Sequence, residues 1–500
     1  MSESAFKELG LKTSIEDKIT ELQKQYLADS KPWVIGYSGG KDSTAVAQLT
    51  WMAIEQLPKS KRKKPVFIVT TDTMVENPIV SNWVESSLDK MKIAAKEKDL
   101  PIKPYLIKPK LEDRFWVNLI GKGYPAPRRG FRWCTDRLKI KPSNDFIKSV
   151  VNKHGEAILL LGVRSAESAS RARSIKKHTK DNQILNKHND LLNCYVYSPI
   201  KEWSNDDVWL FLVQYENPWD YSNKSLLNLY QGATEDNECP VVVDTTTPSC
   251  GSSRFGCYVC TLVSKDKSMQ AMVQNDKDKE WMSPMLKIRD ELDFNSKDAL
   301  QIERASREFS RLNGEVSFYK NKDGDVDTVP GPYKKDKRLK ILEKVFKAEV
   351  QIAQHFAGDK ESKAINLISH EELEEIRRIW VEDKNEVEDE LPELYKRVKG
   401  SDYEGRSFRN ISVLEKENLD ILESLCDSRK EYEFVRNLLV KEMKLKSRGV
   451  RRGFVKELEK ELNKFLYLDK EEALAAGNER QELIKSIEIT PINDYEGIKI

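Results

Sequence analysis

Short apolar runs alternate with amphipathic segments over the first third of the chain. Four of these runs have the length of buried strands: 34–37, 65–70, 102–107 and 157–162. Segments with a helical period lie before and between them: 14–28, a stretch that ends near 56, and 81–98. Ser14 is placed to cap the first of these helices. Strands that alternate with helices predict an α/β fold with a doubly wound, mainly parallel sheet, which binds ligands at the carboxyl ends of its strands.

After about residue 270 the pattern becomes that of charged helices. The periodicity predicts helices over 280–311 and 338–355, several more between 371 and 485, and a hairpin around 321–325. The sequence therefore predicts three parts: an α/β domain over 1–235, a cysteine-rich segment over 236–275 and a mainly helical accessory domain over 276–500.

Composition narrows the function classes. Of the 500 residues 33% are charged, yet the formal net charge is only +2, so any nucleic-acid surface must be a local patch. We find no long apolar run and no signal-peptide pattern at the N-terminus, which predicts a cytoplasmic protein without a membrane partner. In that compartment the seven cysteines are expected to be metal ligands or reactive thiols rather than disulfides.

A glycine-rich turn between the first strand and the next helix is the strongest motif. Such a turn directs backbone N–H groups and the positive end of a helix dipole at a phosphate. Its spacing differs from that of a Walker A loop. It resembles the SGGxDS loop of the ATP pyrophosphatases, which split ATP between its α- and β-phosphates. The predicted nucleotide-binding residues of this loop are Ser38, Gly39, Gly40, Lys41, Asp42 and Ser43.

Polar residues after two later strands extend this prediction. Asp72 ends the second strand, where a capping or turn role is the alternative. Gly162, Arg164, Glu167 and Arg171 follow a later strand; the arginines suit phosphate oxygens, and a surface salt-bridge cluster is the alternative. Over residues 30–265 the arrangement is similar to that of phosphoadenosine phosphosulfate (PAPS) reductases, which implies the fold of the adenine-nucleotide α-hydrolases. The chain departs from that family at Met74, where the family has Gly.

Four cysteines form the second strong signal. They follow the pattern Cys-x10-Cys-x6-Cys-x2-Cys with glycines among them: Cys239, Cys250, Cys257 and Cys260. A four-thiolate zinc site and a 4Fe–4S cluster are both compatible with these ligands. Only one Cys-x2-Cys pair is present, which favours the iron–sulfur cluster over zinc. Structural cysteines without a metal are the remaining alternative.

Cys134 stands apart in a basic segment. We expect Arg132, Arg137 and Lys139 to lower its pKa and to hold its thiolate near an anionic nucleotide, with Lys139 among the nucleotide-binding residues. Three roles remain open for this thiol: it carries sulfur as a persulfide, it is a further cluster ligand, or it is a small buried apolar residue.

Taken together, the loop, the segments 132–142 and 162–171 and the cysteine block closely resemble the DndC family of DNA phosphorothioation. This resemblance implies an iron–sulfur ATP pyrophosphatase and sulfurtransferase that uses ATP and Mg²⁺ to place sulfur in the DNA backbone. The implied partners are DNA, a cysteine desulfurase as sulfur donor and other subunits of the phosphorothioation complex. The implied catalytic residues are Lys41, Asp42, Cys134 and Arg164.

Two other classes of function remain open from the sequence. One is a different enzyme of related chemistry, either a phosphoadenylylsulfate reductase or a tRNA thiolase. The other is a non-catalytic, nucleotide-gated DNA-binding scaffold, which the basic stretch 444–452 favours.

Overall fold

The computed structural model describes residues 4–165, 184–233, 255–294, 296–321, 324–357, 365–408, 416–447, 454–467 and 469–488. These residues group into two compact units. Unit 1 comprises Met1–Phe115, Pro127–Asp293 and Gln351–Leu367. Unit 2 comprises Trp116–Ala126, Phe294–Val350 and Ile368–Ile500. Among the described residues, no helix is both long enough and apolar enough to span a membrane.

Unit 1 is built on a six-stranded sheet with the order β3-β2-β1-β4-β6-β5. The strands are β1 Trp33–Gly36, β2 Val66–Thr71, β3 Ile102–Ile107, β4 Ala157–Leu160, β5 Asn186–Lys187 and β6 Cys194–Tyr197. All neighbouring pairs are parallel except β5 with β6, which are antiparallel. This confirms the predicted mainly parallel α/β sheet.

Helices cover both faces of the sheet. They are α1 Gly10–Leu27, α2 Lys41–Glu55, α3 Pro78–Glu97, α4 Trp133–Thr135, α5 Lys141–His154, α6 Asn205–Gln214, α7 Asn223–Gly232, α8 Lys267–Asn275 and α9 Ser283–Glu291. Alternate residues of β1 face opposite ways: Ile35 packs into a core with α1, α2 and α3, and Val34 packs into a second core with α5. A sheet buried on both faces requires the near-continuous apolar runs seen in the sequence.

Unit 2 is mainly helical. Its helices are α10 Lys297–Ala305, α11 Lys335–His355 (which ends in unit 1), α12 His370–Arg378, α13 Leu391–Lys399, α14 Lys416–Leu425, α15 Arg429–Ser447, α16 Phe454–Lys464 and α17 Lys470–Glu488. A hairpin joins β7 Phe318–Lys320 to β8 Val326–Thr328, as predicted. The buried indole of Trp380 donates a hydrogen bond to the carbonyl of Ile120 at 3.0 Å, which ties the short segment Trp116–Ala126 into this unit.

Two predicted elements are wrong in detail. The first helix begins at Gly10 rather than near Ser14, and the Ser14 hydroxyl is buried without a hydrogen-bond partner instead of capping. The predicted helix over 280–311 is interrupted after Glu291, and a second helix begins at Lys297 with Ser296 as its cap. At the second place the Ser296 cap, rather than the helical period, decides where the helix starts, whereas the first helix begins without a side-chain cap.

Candidate active site

The glycine-rich loop joins β1 to α2 at the edge where the parallel strands end. Gly39 has a φ of 71°, and a Cβ atom there would lie 2.4 Å from Val84 Cγ2. The Ser43 hydroxyl accepts from the Ser38 amide at 3.1 Å and donates to the Gly40 carbonyl at 3.0 Å. The loop is therefore a tight turn that favours glycine at position 39, because the backbone there is left-handed and an added side chain would meet Val84.

Lys41 begins α2 and adds charge to the end of the helix. Its side chain is almost fully buried, and Nζ lies 3.4 Å from the Asp42 carboxylate and 5.6 Å from the centre of the Tyr230 ring. The Lys41 amide donates to the Tyr230 hydroxyl at 3.3 Å. Burial raises the pKa of Tyr230, so this hydroxyl stays protonated. The positive helix end and the Lys41 ammonium thus lie together, as an anion site requires.

The segment after β4 packs directly against this loop. A Cβ atom at Gly162 would lie 2.8 Å from the backbone carbonyl of Asp42, so the two segments meet backbone to backbone. Arg164 is only 3% exposed; its Nε lies 2.5 Å from the Asp42 carboxylate, and it also donates to the Trp203 carbonyl at 3.3 Å. The structure therefore brings Gly162 and Arg164 to the loop and gives Arg164 a carboxylate partner that sequence reasoning missed. Glu167 and Arg171 lie outside the described residues.

The end of β2 supplies Asp72 to the same edge. Its carboxylate accepts from the Met74 amide at 2.8 Å and lies 3.8 Å from Lys108 Nζ. Met74 adopts a φ of 64°, the left-handed conformation that glycine adopts most easily. Asp72 therefore closes a turn around the residue where the chain departs from the PAPS reductase pattern.

The Cys257–Cys260 turn is anchored just after β2. Tyr258 donates its amide to the Val75 carbonyl at 2.9 Å, and Cys257 Sγ lies 3.3 Å from the Thr73 hydroxyl. Inside the turn, the Cys260 amide donates to the Cys257 carbonyl at 3.0 Å. Because Thr73 and Val75 follow the carboxyl end of β2, this cysteine pair lies at the same edge of the sheet as the glycine-rich loop.

Arg289 fixes the chain that follows the turn. This arginine of α9 is 2% exposed; it donates to the Cys260 carbonyl at 3.1 Å and also to the Val263 carbonyl, and it pairs with Asp293 at 3.0 Å. Sequence reasoning missed Arg289. No local pattern could have found it, because its acceptors are backbone carbonyls more than twenty residues away.

The predicted activation of Cys134 by neighbouring cations is wrong. Burial raises the pKa of this half-buried thiol, and the Cys260 thiol raises it further; the Thr135 hydrogen bonds and the Arg132 charge lower it by less. The other cations are engaged elsewhere. Arg137 lies over the Trp133 ring at 6.0 Å, and Lys139 Nζ lies 3.6 Å from Glu76.

Lys139 lies with the thiols of the cysteine turn. The Cys257 and Glu76 charges raise the pKa of Lys139 although burial opposes them. Burial raises the pKa of Cys257 to about 11, and the Lys139 charge opposes this rise. Lys139, predicted to bind nucleotide, therefore faces Cys257 and Glu76.

The cysteine turn suits a metal centre in its donor chemistry. Cys257 and Cys260 supply two thiols from one tight turn, whereas Cys239 and Cys250 lie outside the described residues. Within the described ranges, no group of three His, Cys, Asp or Glu side chains is placed to hold a metal ion. The thiols that are described fit either a zinc site or an iron–sulfur cluster completed by other cysteines.

A cleft of about 690 Å³ borders the carboxyl ends of β4 and β6. Its wall includes Val163, Ser198 and Tyr197, and the Tyr197 hydroxyl donates to Glu21 at 2.5 Å. Burial and this carboxylate both raise the pKa of Tyr197, so the hydroxyl remains a donor. The volume lies in the range of small-molecule sites, roughly 300–1,000 Å³.

The part of the chain that carries the sheet and the cysteine turn is similar to known proteins. Residues 32–262 match the family model of the phosphoadenosine phosphosulfate reductase domain. This part of the chain has the PAPS reductase-like α/β fold described above. An uncharacterized protein of Methanocaldococcus jannaschii is 26% identical over 239 residues, 48% of this chain and 38% of that protein. The chain thus spans well under half the length of this relative.

Two solved structures are also similar to the chain. One is a PAPS reductase from Candida auris in complex with phosphate, with 13% identity and a TM-score of 0.26 over 41% of this chain and 86% of that chain. The other is a U34-tRNA thiolase from Methanococcus maripaludis with its 4Fe–4S cluster, with 15% identity and a TM-score of 0.27 over 45% of this chain and 76% of that chain.

Proposed function

We propose that this protein is the ATP-dependent sulfurtransferase subunit of a DNA phosphorothioation system. One observation carries the proposal: the glycine-rich loop and the Cys257–Cys260 turn are both anchored at the carboxyl edge of one parallel sheet. An enzyme that activates a phosphate with ATP and then inserts sulfur needs a nucleotide site and thiols side by side. A reaction at the α-phosphorus of ATP would release pyrophosphate and leave AMP on the acceptor.

The nucleotide would bind where β1 and β4 lie next to each other and the strand order reverses. The turn from Ser38 to Ser43 would hold the pyrophosphate through backbone N–H groups, and Lys41 would neutralise charge that develops on it. Arg164 would act by holding Asp42 and the helix start in place. The Asp72 carboxylate would help to hold a Mg²⁺ ion on the phosphates. The cleft beside Val163 offers room for the nucleoside.

Sulfur transfer would use the thiols at this edge. A DNA phosphate oxygen attacks the α-phosphorus of ATP, forming a P–O bond while the bond to pyrophosphate breaks. The terminal sulfur of a Cys134 persulfide, supplied by a cysteine desulfurase, then attacks the DNA phosphorus and expels AMP. An external thiol cleaves the remaining S–S bond to release the phosphorothioate, and the disulfide formed with Cys134 is reduced by a further thiol. An iron–sulfur centre on the four cysteines would supply iron that can hold sulfur.

The test is to incubate the protein anaerobically with duplex DNA, ATP, cysteine and a cysteine desulfurase, together with partner subunits. We expect AMP, pyrophosphate and nuclease-resistant phosphorothioate dinucleotides in equal amounts by mass spectrometry. Lys41→Ala should reduce all three at least about a hundredfold, because it removes a preorganised cation. Lys61→Ala, in an exposed turn before β2 at the opposite edge of the sheet, is the matched control. Phosphorothioate formed without ATP cleavage would contradict the proposal.

Reduction of an adenylylated sulfate is a second candidate function. The match of residues 32–262 to the PAPS reductase domain favours it. A reductase needs a thiol that attacks the sulfonyl group, and Cys134 is the described thiol in the basic segment. Incubation with phosphoadenylylsulfate and reduced thioredoxin distinguishes the two functions: sulfite release would replace the DNA reaction with this one.

A further inference from the structure

A tight turn rich in arginine lies next to the Cys257–Cys260 turn. Arg128 and Phe131 exchange two backbone hydrogen bonds, of 3.2 and 2.9 Å, so residues 128–131 form a closed two-residue turn. Arg128, Arg129 and Arg132 are exposed, and the Phe131 ring is 38% exposed. We call residues 128–132 the arginine turn. Three cations and an aromatic ring on a rigid turn are a costly arrangement for a surface without a partner, because the like charges repel.

In the described part of the chain, the arginine turn carries its charges without a carboxylate partner. Among the residues that the structure describes, none of its three arginines forms a salt bridge with a carboxylate. By contrast, Arg164 and Arg289 are buried against acidic and carbonyl groups. The chain as a whole carries a net charge of only +2, so this local concentration of charge is not part of a general basic field.

Both ends of the arginine turn lead to the thiols. At its base, the Pro127 carbonyl accepts a hydrogen bond from the Thr261 hydroxyl, next to Cys260. At its other end, Cys134 follows Arg132 by two residues. A phosphate held by the arginine turn would therefore lie near the thiols.

We infer that the arginine turn binds the backbone of duplex DNA and presents a phosphodiester to Cys134 and the Cys257–Cys260 turn. This inference rests on the proposed function and adds where the DNA is held. Arginine forms bidentate contacts with phosphate, and phosphate contacts position a duplex without reading its sequence. The Phe131 ring would pack against the sugar–phosphate backbone at the same place. Sequence recognition is then left to other surfaces or subunits.

The experiment measures duplex affinity against salt concentration for the full chain. Each phosphate contact contributes a slope of about −0.9 to log K against log salt. The triple variant Arg128→Gln, Arg129→Gln, Arg132→Gln should therefore flatten the slope by roughly 2.7 and weaken binding at least tenfold near 0.1 M salt. The matched control removes three exposed lysines from the turn before β2, at the other edge of the sheet: Lys59→Gln, Lys61→Gln and Lys63→Gln.

The outcomes separate this inference from the proposed function. Loss of affinity in the arginine variant alone supports it, provided that the variant melts at the wild-type temperature. If the triple variant does not fold, the single change Arg129→Glu should still weaken binding more than Lys61→Glu does. Equal effects of the arginine and lysine variants would overturn the inference while the proposed function stands. A wild-type protein that fails to bind duplex DNA at low salt, or prefers tRNA as competitor, would overturn both.

Discussion

At the scale of single residues, the site depends on two backbones that touch. Gly162 lies against Asp42 and Ser43, where a Cβ atom would be 2.8 Å from a carbonyl and 3.0 Å from an amide nitrogen. Neither neighbour is a flexible side chain that could move aside. The close approach explains why a glycine follows β4, and it couples the position of that strand end to the phosphate-binding turn.

The substitution Gly162→Ala tests this coupling. The added methyl group must push β4 and the glycine-rich loop apart, so we expect the free energy of unfolding to fall by about 1–3 kcal/mol. We also expect the affinity for a non-hydrolysable ATP analogue to fall at least tenfold by calorimetry. Gly232→Ala is the control, since its nearest neighbour is the end of the Lys279 side chain at 3.8 Å. Unchanged nucleotide affinity in Gly162→Ala would show that the strand end does not shape the site.

The sequence predicted that Gly162 and Arg164 reach the loop, but not how Arg164 pairs there. Parallel strands end at one edge, so Asp72, Gly162 and Arg164 could be assigned to the site from strand order alone. The Asp42–Arg164 pair and the Arg289 contacts depend on residues far apart in the chain. The prediction of a lowered pKa for Cys134 was wrong for a physical reason. Charge can be counted in a sequence, whereas desolvation depends on burial that only the fold determines.

At the scale of elements, the four predicted strands match the observed ones to within one residue, except for β4, which ends two residues early, at Leu160. Helix ends were predicted less well, because caps and turns decide them. Ser296 is an example, since its hydroxyl accepts from the Ala299 amide and starts α10 inside a segment that has a continuous helical period. In unit 2, ion pairs also join a turn to the helices around it, and the helical period does not show them.

Glu388, in the turn before α13, forms such pairs. It accepts from Arg436 at 2.9 Å and from the Tyr432 hydroxyl at 2.9 Å, both on α15, and it lies 3.2 Å from Lys335 at the start of α11. Burial alone would raise its pKa, but Arg436 and Lys335 lower the pKa of Glu388 to about 2 from 4.5. A carboxyl group with a depressed pKa in the folded state stabilises the fold above its unfolded pKa.

Replacing Glu388 with Gln should therefore destabilise the protein in a pH-dependent way. Lowering the pKa of Glu388 from 4.5 to about 2 corresponds to roughly 3 kcal/mol of stability, which is fully present at pH 7. The difference from wild type should shrink as the pH falls from about 4.5 towards 2, because Glu388 then takes up a proton. Urea unfolding at pH 7, 4.5 and 3 measures it. Asp402→Asn, in an exposed pair with Lys396, should change nothing measurable. A constant difference at all three pH values would contradict the assignment.

At the scale of the whole molecule, the chain passes repeatedly between its two units. The short segment Trp116–Ala126 belongs to unit 2, although the residues on both sides of it belong to unit 1. The hydrophobic period along the chain cannot show that a short segment belongs to the other unit, because this depends on contacts between residues far apart in the chain. The described residues of the nucleotide site and the cysteine turn all lie in unit 1.

This division predicts how a nucleotide changes stability. A ligand that binds only folded unit 1 stabilises that unit by about 2.7 kcal/mol at a hundred times its Kd. With a non-hydrolysable ATP analogue and Mg²⁺, amides of β1, β2 and β4 should therefore exchange with deuterium about a hundredfold more slowly. Amides in α12 and α13 of unit 2 should keep their rates, because separate compact units open with their own free energies. Lys41→Ala with the same analogue is the control, in which neither set should change. Equal slowing in both units would contradict this prediction, because it would mean that the two units unfold together.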